Sequence, residues 1–137
     1  MADGKYATAL KALEDGNINL LSDTIKVVLI DTGLYTVNLA THQYLSDIAS
    51  GARIAISPAL SGKSDTDGVF DAIDVTLTSV AGGSTVGAIA VFQDSGSPAS
   101  SRLIMYTETA GGLPYATNGG DITVQWDNGA SRIFAIG

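Results

Sequence analysis

Apolar positions along the chain repeat with two different periods. From Ala2 to Asp15 the spacing is helical: Tyr6, Leu10 and Leu13 stand at i, i+4 and i+7, with Lys5, Lys11 and Glu14 elsewhere around the turn. Gly16 supplies a stop, because a residue free to take positive φ closes a helix readily. The pattern predicts an amphipathic helix over about residues 2–15 that docks on the protein's own sheet.

After Gly16 the pattern is that of strands, from about residue 24 onward. Thr24–Asp31 (TIKVVLID) is apolar on both faces apart from Lys26, which predicts a strand covered on both sides. Asp31-Thr32-Gly33 marks a turn, and Thr41–Ile48 predicts a short helix with Tyr44, Leu45 and Ile48 on one side. Arg53–Ser57 reads as a strand ended by Pro58. Asp74–Val80 alternates, Val75 and Leu77 pointing one way and Asp74, Thr76 and Thr78 the other. Val86–Gln93 and Arg102–Thr107 are two further strands, joined by the Gly/Ser/Pro loop Asp94–Ser101. Asp121–Trp126 places Ile122, Val124 and Trp126 on one face, Asn128-Gly129 is a hairpin signal, and Arg132–Ile136 is expected to return as its partner. Short strands with Gly/Ser-rich turns and one leading helix predict a mainly β, single-domain β-sandwich or open barrel over residues 1–137.

Composition narrows the chemistry. The 137 residues contain no Cys and one His, which excludes disulfides, thiolate chemistry and a multi-histidine metal centre. The net charge is −7, and the seven Lys and Arg are scattered, so nucleic acid is not an expected partner. Twelve of the fourteen acids are Asp, whose short carboxylate suits turns and caps better than an acidic binding face. The opening MADGKYATALKALEDG lacks the apolar core of a signal peptide, and no apolar run approaches the ~18 residues of a membrane span, so no membrane partner is expected.

Two segments approach known ligand loops. Ser57–Ser64 (SPALSGKS) is close to a phosphate loop, but Ser57 replaces the first Gly and a strand follows where a helix is needed, so it reads as a loop. In Lys63–Asp74 (KSDTDGVFDAID), Asp65, Asp67, Asp71 and Asp74 fall at calcium-ligand positions. A cation, Lys63, occupies the first position, so an Asp/Gly turn is preferred and no metal or cofactor is expected. His42 lacks any nucleophile motif and reads as a cap or a partly buried hydrogen-bonding group; with neither Glu in a catalytic signature, an enzyme is not expected. Trp126, Tyr106 and Tyr115 would make a sugar platform only if Trp126 left the apolar face it shares with Ile122 and Val124.

Leu34-Tyr35, after the Gly33 turn, and Leu113-Pro114-Tyr115, inside Ala110–Gly120, put large apolar side chains on loops. Such residues either form a contact surface or fold back over the open end of the sheets.

The stretches KYATALKALEDGNINLLSDTIKVVLIDT, YTVNLATHQYLSDI, DGVFDAIDVTL, SRLIMYTETAGGLP and GGDITVQWDNG together resemble the small virion proteins of tailed bacteriophages. The resemblance covers nearly the whole chain. It departs at Ile73, where relatives often look more acidic. It implies a structural role: a head decoration (cement) protein on the outer surface of the capsid, made in the host cytoplasm. Such a protein clamps the major capsid protein and acts as a homo-oligomer, a dimer or a trimer. A tail or fibre component, binding another tail protein or a host glycan, is the alternative; a free carbohydrate-binding module is a third class.

Overall fold

The computed structural model describes residues 4–66, 69–108, 113–124 and 134–135. The chain is mainly β, with one N-terminal helix and antiparallel sheets that stay open and form no closed barrel. In order the elements are β1 (Gly4–Lys5), α1 (Ala7–Glu14), β2 (Ile25–Ile30), β3 (Arg53–Ile56), β4 (Ser64–Thr66), β5 (Val69–Asp71), β6 (Val75–Leu77), β7 (Thr85–Val86), β8 (Ala88–Gln93), β9 (Arg102–Thr107), β10 (Tyr115–Ala116), β11 (Ile122–Val124) and β12 (Phe134–Ala135). Five strands form the main sheet in the order β1-β9-β8-β2-β3. The pairs β10-β7 and β11-β6 and the triplet β12-β5-β4 make three smaller sheets.

β2 pairs with β8 and β3 at its edges and is covered on both faces, as its two-sided apolar pattern requires: Val27, Val28, Leu29 and Ile30 are all fully buried. Lys26, the polar exception, pairs its ammonium with Asp94 at 2.8 Å. That contact, followed by the Gly96 N–H, holds the Asp94 carboxyl below its ordinary range.

α1 is shorter than residues 2–15, and its buried face differs from the expected one. Gly4 and Lys5 pair with Tyr106 and Met105 of β9, so the chain is extended there and Tyr6 caps the helix. Ala9 and Ala12 are the buried helical positions, while Leu10 is half-exposed. Small side chains let the helix approach the sheet closely, and a reading weighted by apolar size passes over them. The Gly16 stop is present: Gly16 has φ +80°, its N–H donates to the Leu13 carbonyl, and the Asn17 N–H donates to that of Ala12. This double bond satisfies carbonyls that the helix end leaves open.

Three further expectations are corrected. Thr41–Ile48 carries only a single 3₁₀ turn at Leu45–Asp47, because Asp47 turns back to accept the Gln43 and Tyr44 N–H groups at 2.8 and 2.9 Å. The run Val86–Gln93 breaks at Gly87, with Val86 pairing Tyr115 of β10 and Ala88 pairing Ile30 of β2. Among the described residues, β11 pairs with β6 and β12 with β5, not with each other. Asn128-Gly129 and Trp126 lie outside the described residues.

Candidate functional site

Cross-strand neighbours share a face, so the register sorts the main sheet. Leu29 opposes Ile89 on one face, while Ala90 opposes Tyr106 on the other. The Leu29 face looks toward β11, and between them lies an open cleft of about 250 Å³ lined by Leu29, Val86, Ile89, Leu113, Ile122 and Val124. Tyr115, Asp121 and Thr123 complete its rim. Cofactor and drug-sized sites run from about 300 to 1,000 Å³, so this cleft suits a single inserted apolar side chain better than a small-molecule cofactor.

The two loop pairs singled out in the sequence come to the same end of the main sheet. Leu34 ends a turn that begins where β2 stops, set by the Asp31 carboxylate accepting the Gly33 N–H at 2.9 Å and the Asp31 carbonyl accepting the Leu34 N–H at 3.0 Å. Thr32 of that turn packs so tightly on Gly87 that a Cβ there would lie 2.2 Å from the Thr32 Oγ1. Gly87 follows Val86, a wall of the cleft. Leu34 stands 61% exposed and Tyr115 38% exposed; Pro114 is exposed and Leu113 half-buried in the cleft wall.

Tyr35 is corrected: it is buried and offers no contact surface. Its ring meets Tyr106 edge-on at 6.0 Å and His42 at 5.4 Å. Its hydroxyl lies 3.0 Å from the Tyr6 hydroxyl and 2.7 Å from His42 Nδ1. The Asn38 N–H, which can only donate, reaches the same Nδ1 at 3.3 Å, so Nδ1 is an acceptor. The Tyr35 O–H therefore donates to His42, and the Tyr6 O–H donates to Tyr35. Burial, with the Tyr35 contact second, pushes the Tyr6 phenol far above its ordinary value, and burial raises that of Tyr35. His42 is thus the hydrogen-bonding group expected from the sequence.

Within the calcium-like segment β4 and β5 pair antiparallel. Ser64 opposes Asp71 and Asp65 opposes Phe70, so alternation sends the Asp65 and Asp71 side chains to opposite faces. Asp74 lies past the end of β5, and Asp67 is outside the described residues. Among the described residues no three His, Asp or Glu side chains gather in metal-binding reach. Ser57–Ser64 follows the β2 edge: the Ser57 Oγ accepts the Val27 N–H and donates to the Pro58 carbonyl, and Lys63 Nζ donates to the Asp23 carbonyl. Of the sugar-platform residues, Tyr106 is buried and Tyr115 reaches solvent, while Trp126 lies outside the described residues.

A second surface went unnoticed in the sequence: the outer edge of β3. The Ser57 N–H donates to Val27, so alternation turns the Ile56 N–H and carbonyl away from β2. Among the described residues no backbone group meets 54–56 from that side, and Ile56 is 44% exposed. A bulge at Leu29/Ile30 and Pro58 just beyond keep this edge short. No α-helix among the described residues is long and apolar enough to cross a membrane.

No protein-family model matches the chain, and no curated protein matches its sequence.

Proposed function

We propose that this protein is a structural virion component of a tailed bacteriophage, a decoration (cement) protein that binds the outside of the head and clamps neighbouring major capsid subunits as a homo-oligomer. The observation that carries the contact role is the apolar cleft sized for one side chain that Leu113 and Tyr115 help to line, with exposed Leu34 on the neighbouring turn at the same end of the main sheet. The open β3 edge adds backbone donors and acceptors for an extended capsid segment. The sequence stretches that resemble phage virion proteins supply the virion setting, and the net charge of −7 favours the outer shell over the DNA-facing wall.

Cement proteins act by mass action: a component that binds the assembled lattice and not the free subunits stabilises the shell. The test mixes purified protein with expanded empty capsids and follows co-sedimentation and the temperature at which the shells burst. Wild type sediments with the shells and raises that temperature. Leu34→Asp changes a solvated side chain, costs the isolated protein no more than about 0.5 kcal/mol and weakens binding. Wild-type protein that stays in the supernatant refutes the proposal.

A further inference from the structure

Asn38 and His42 brace each other through two hydrogen bonds, and Asn38 makes two more to the residues between them. The Asn38 Oδ1 accepts the Ala40 and Thr41 N–H groups, both at 3.1 Å, and its carbonyl accepts the His42 N–H at 3.0 Å. In return His42 Nδ1 accepts the Asn38 N–H. The same stretch is fixed to the helix start, where Thr8 Oγ1 donates to the His42 carbonyl and the Ala7 N–H donates to the Leu39 carbonyl. Within this loop one ring nitrogen thus receives two donors, from Asn38 and Tyr35.

We propose that His42 is a proton-controlled latch, closed when Nδ1 is a bare acceptor and released when that nitrogen gains a proton. This goes beyond the capsid reading and does not depend on it. A protonated Nδ1 repels the Asn38 N–H, which has no second conformation in which to accept. Tyr35 adapts only by turning its hydroxyl to accept from the imidazolium. The Tyr35 proton must then point at the Tyr6 oxygen, and the Tyr6 proton loses its place. Tyr6 is fully buried, and among the described residues its hydroxyl has Tyr35 as partner. The cost passes along the chain of hydroxyls into the core.

Groups around His42 act in both directions. From α1 and its cap come Thr8 and Tyr6, and from β9 comes Tyr106; all are uncharged. The charged group facing the imidazole is Asp47, whose carboxylate attracts the imidazolium. Asp47 is committed to the Gln43 and Tyr44 N–H groups, which hold its carboxyl below the usual range, so it stays ionised as the latch opens. Release therefore leaves the Leu45–Asp47 turn in place and frees residues 35–42, shifting the base from which Leu34 projects.

The test is amide hydrogen exchange by NMR on the full chain at about pH 8 and about pH 5. Rates are divided by those of an unstructured peptide at the same pH. Wild type loses at least about fivefold of its Asn38 protection at the lower pH, the order expected for one hydrogen bond. Val28 and Leu29 in β2 keep theirs. His42→Asn, which offers an uncharged acceptor near the Nδ1 position, removes the pH response, and His42→Ala leaves Asn38 unprotected at both values. Equal wild-type Asn38 protection at both values overturns the proposal, as does an undiminished response in His42→Asn. A parallel loss at Val28 and Leu29 overturns it too, because it marks global unfolding.

Discussion

The direction of the hydroxyl chain predicts that two similar substitutions have unequal costs. Tyr6→Phe removes the terminal donor and leaves Tyr35 still bonded to His42, a loss of about 0.5–1.5 kcal/mol. Tyr35→Phe removes the bond to His42 and also strands the Tyr6 O–H in a fully buried site. A stranded buried donor costs about 1–3 kcal/mol, so the total is about 2–4 kcal/mol. The double variant removes the stranded group as well and costs less than the sum of the singles, with a coupling of about 1 kcal/mol or more. Urea denaturation at about pH 8, where histidine is ordinarily neutral, reads these values as midpoint shifts at constant m. A Tyr6→Phe cost equal to or above that of Tyr35→Phe, or strict additivity, refutes the assigned direction and with it the acceptor role of Nδ1.

The same pair predicts alkaline sensitivity. Both phenols are raised above the ordinary value of 10.0, so the stability they contribute is fully present below about pH 10 and is lost as pH rises further. Each contributes a slope of up to about 1.4 kcal/mol per pH unit, and urea midpoints taken from about pH 9 to about pH 12 should fall less steeply in Tyr6→Phe. Gly87→Ala places a Cβ 2.2 Å from the Thr32 Oγ1 and should cost about 1–3 kcal/mol by overpacking. In a Thr32→Ala background the nearest remaining Thr32 atom is the Cβ at 3.1 Å, so most of that cost should return; equal melting-temperature losses in both backgrounds refute the contact.

Strand positions were legible where alternation or β-branching was dense. β2, β6, β8 and β9 lie inside the segments read from the sequence, because each buries one or both faces and its pattern records that; β3, half-buried at most, lies inside its segment through its β-branched and apolar run before Pro58. The helix face was misread because its contact is made by Ala9 and Ala12, whose value lies in being small. Tyr35 was misread because a loop tyrosine looks like a contact residue until its hydroxyl partner is known, and Tyr6 lies 29 positions away. The pairing of β12 with β5 was hidden for a related reason: a hairpin signal reports local turn geometry, and the backbone of β12 pairs with β5 from far along the chain. Of the contact surface, the Leu34 and Leu113–Tyr115 loops were visible as apolar interruptions of polar turns. The β3 edge was not, since an edge is defined by which neighbours are missing.

The strand order of the main sheet also sets a schedule. β2 is buried along nearly its whole length, yet its longest partner, β8, is reached only after Gly87, and β1 waits for β9 beyond residue 101. Pairings so distant in sequence place folding in the millisecond-to-second range typical of β topologies. On a ribosome adding roughly 5–20 residues per second, Ile25–Ile30 would emerge several seconds before β8 exists to cover it. During that interval the most apolar strand of the protein is also the most vulnerable to pairing with another nascent copy, so the yield of native protein should fall with synthesis rate and recover with a chaperone that shields extended apolar segments.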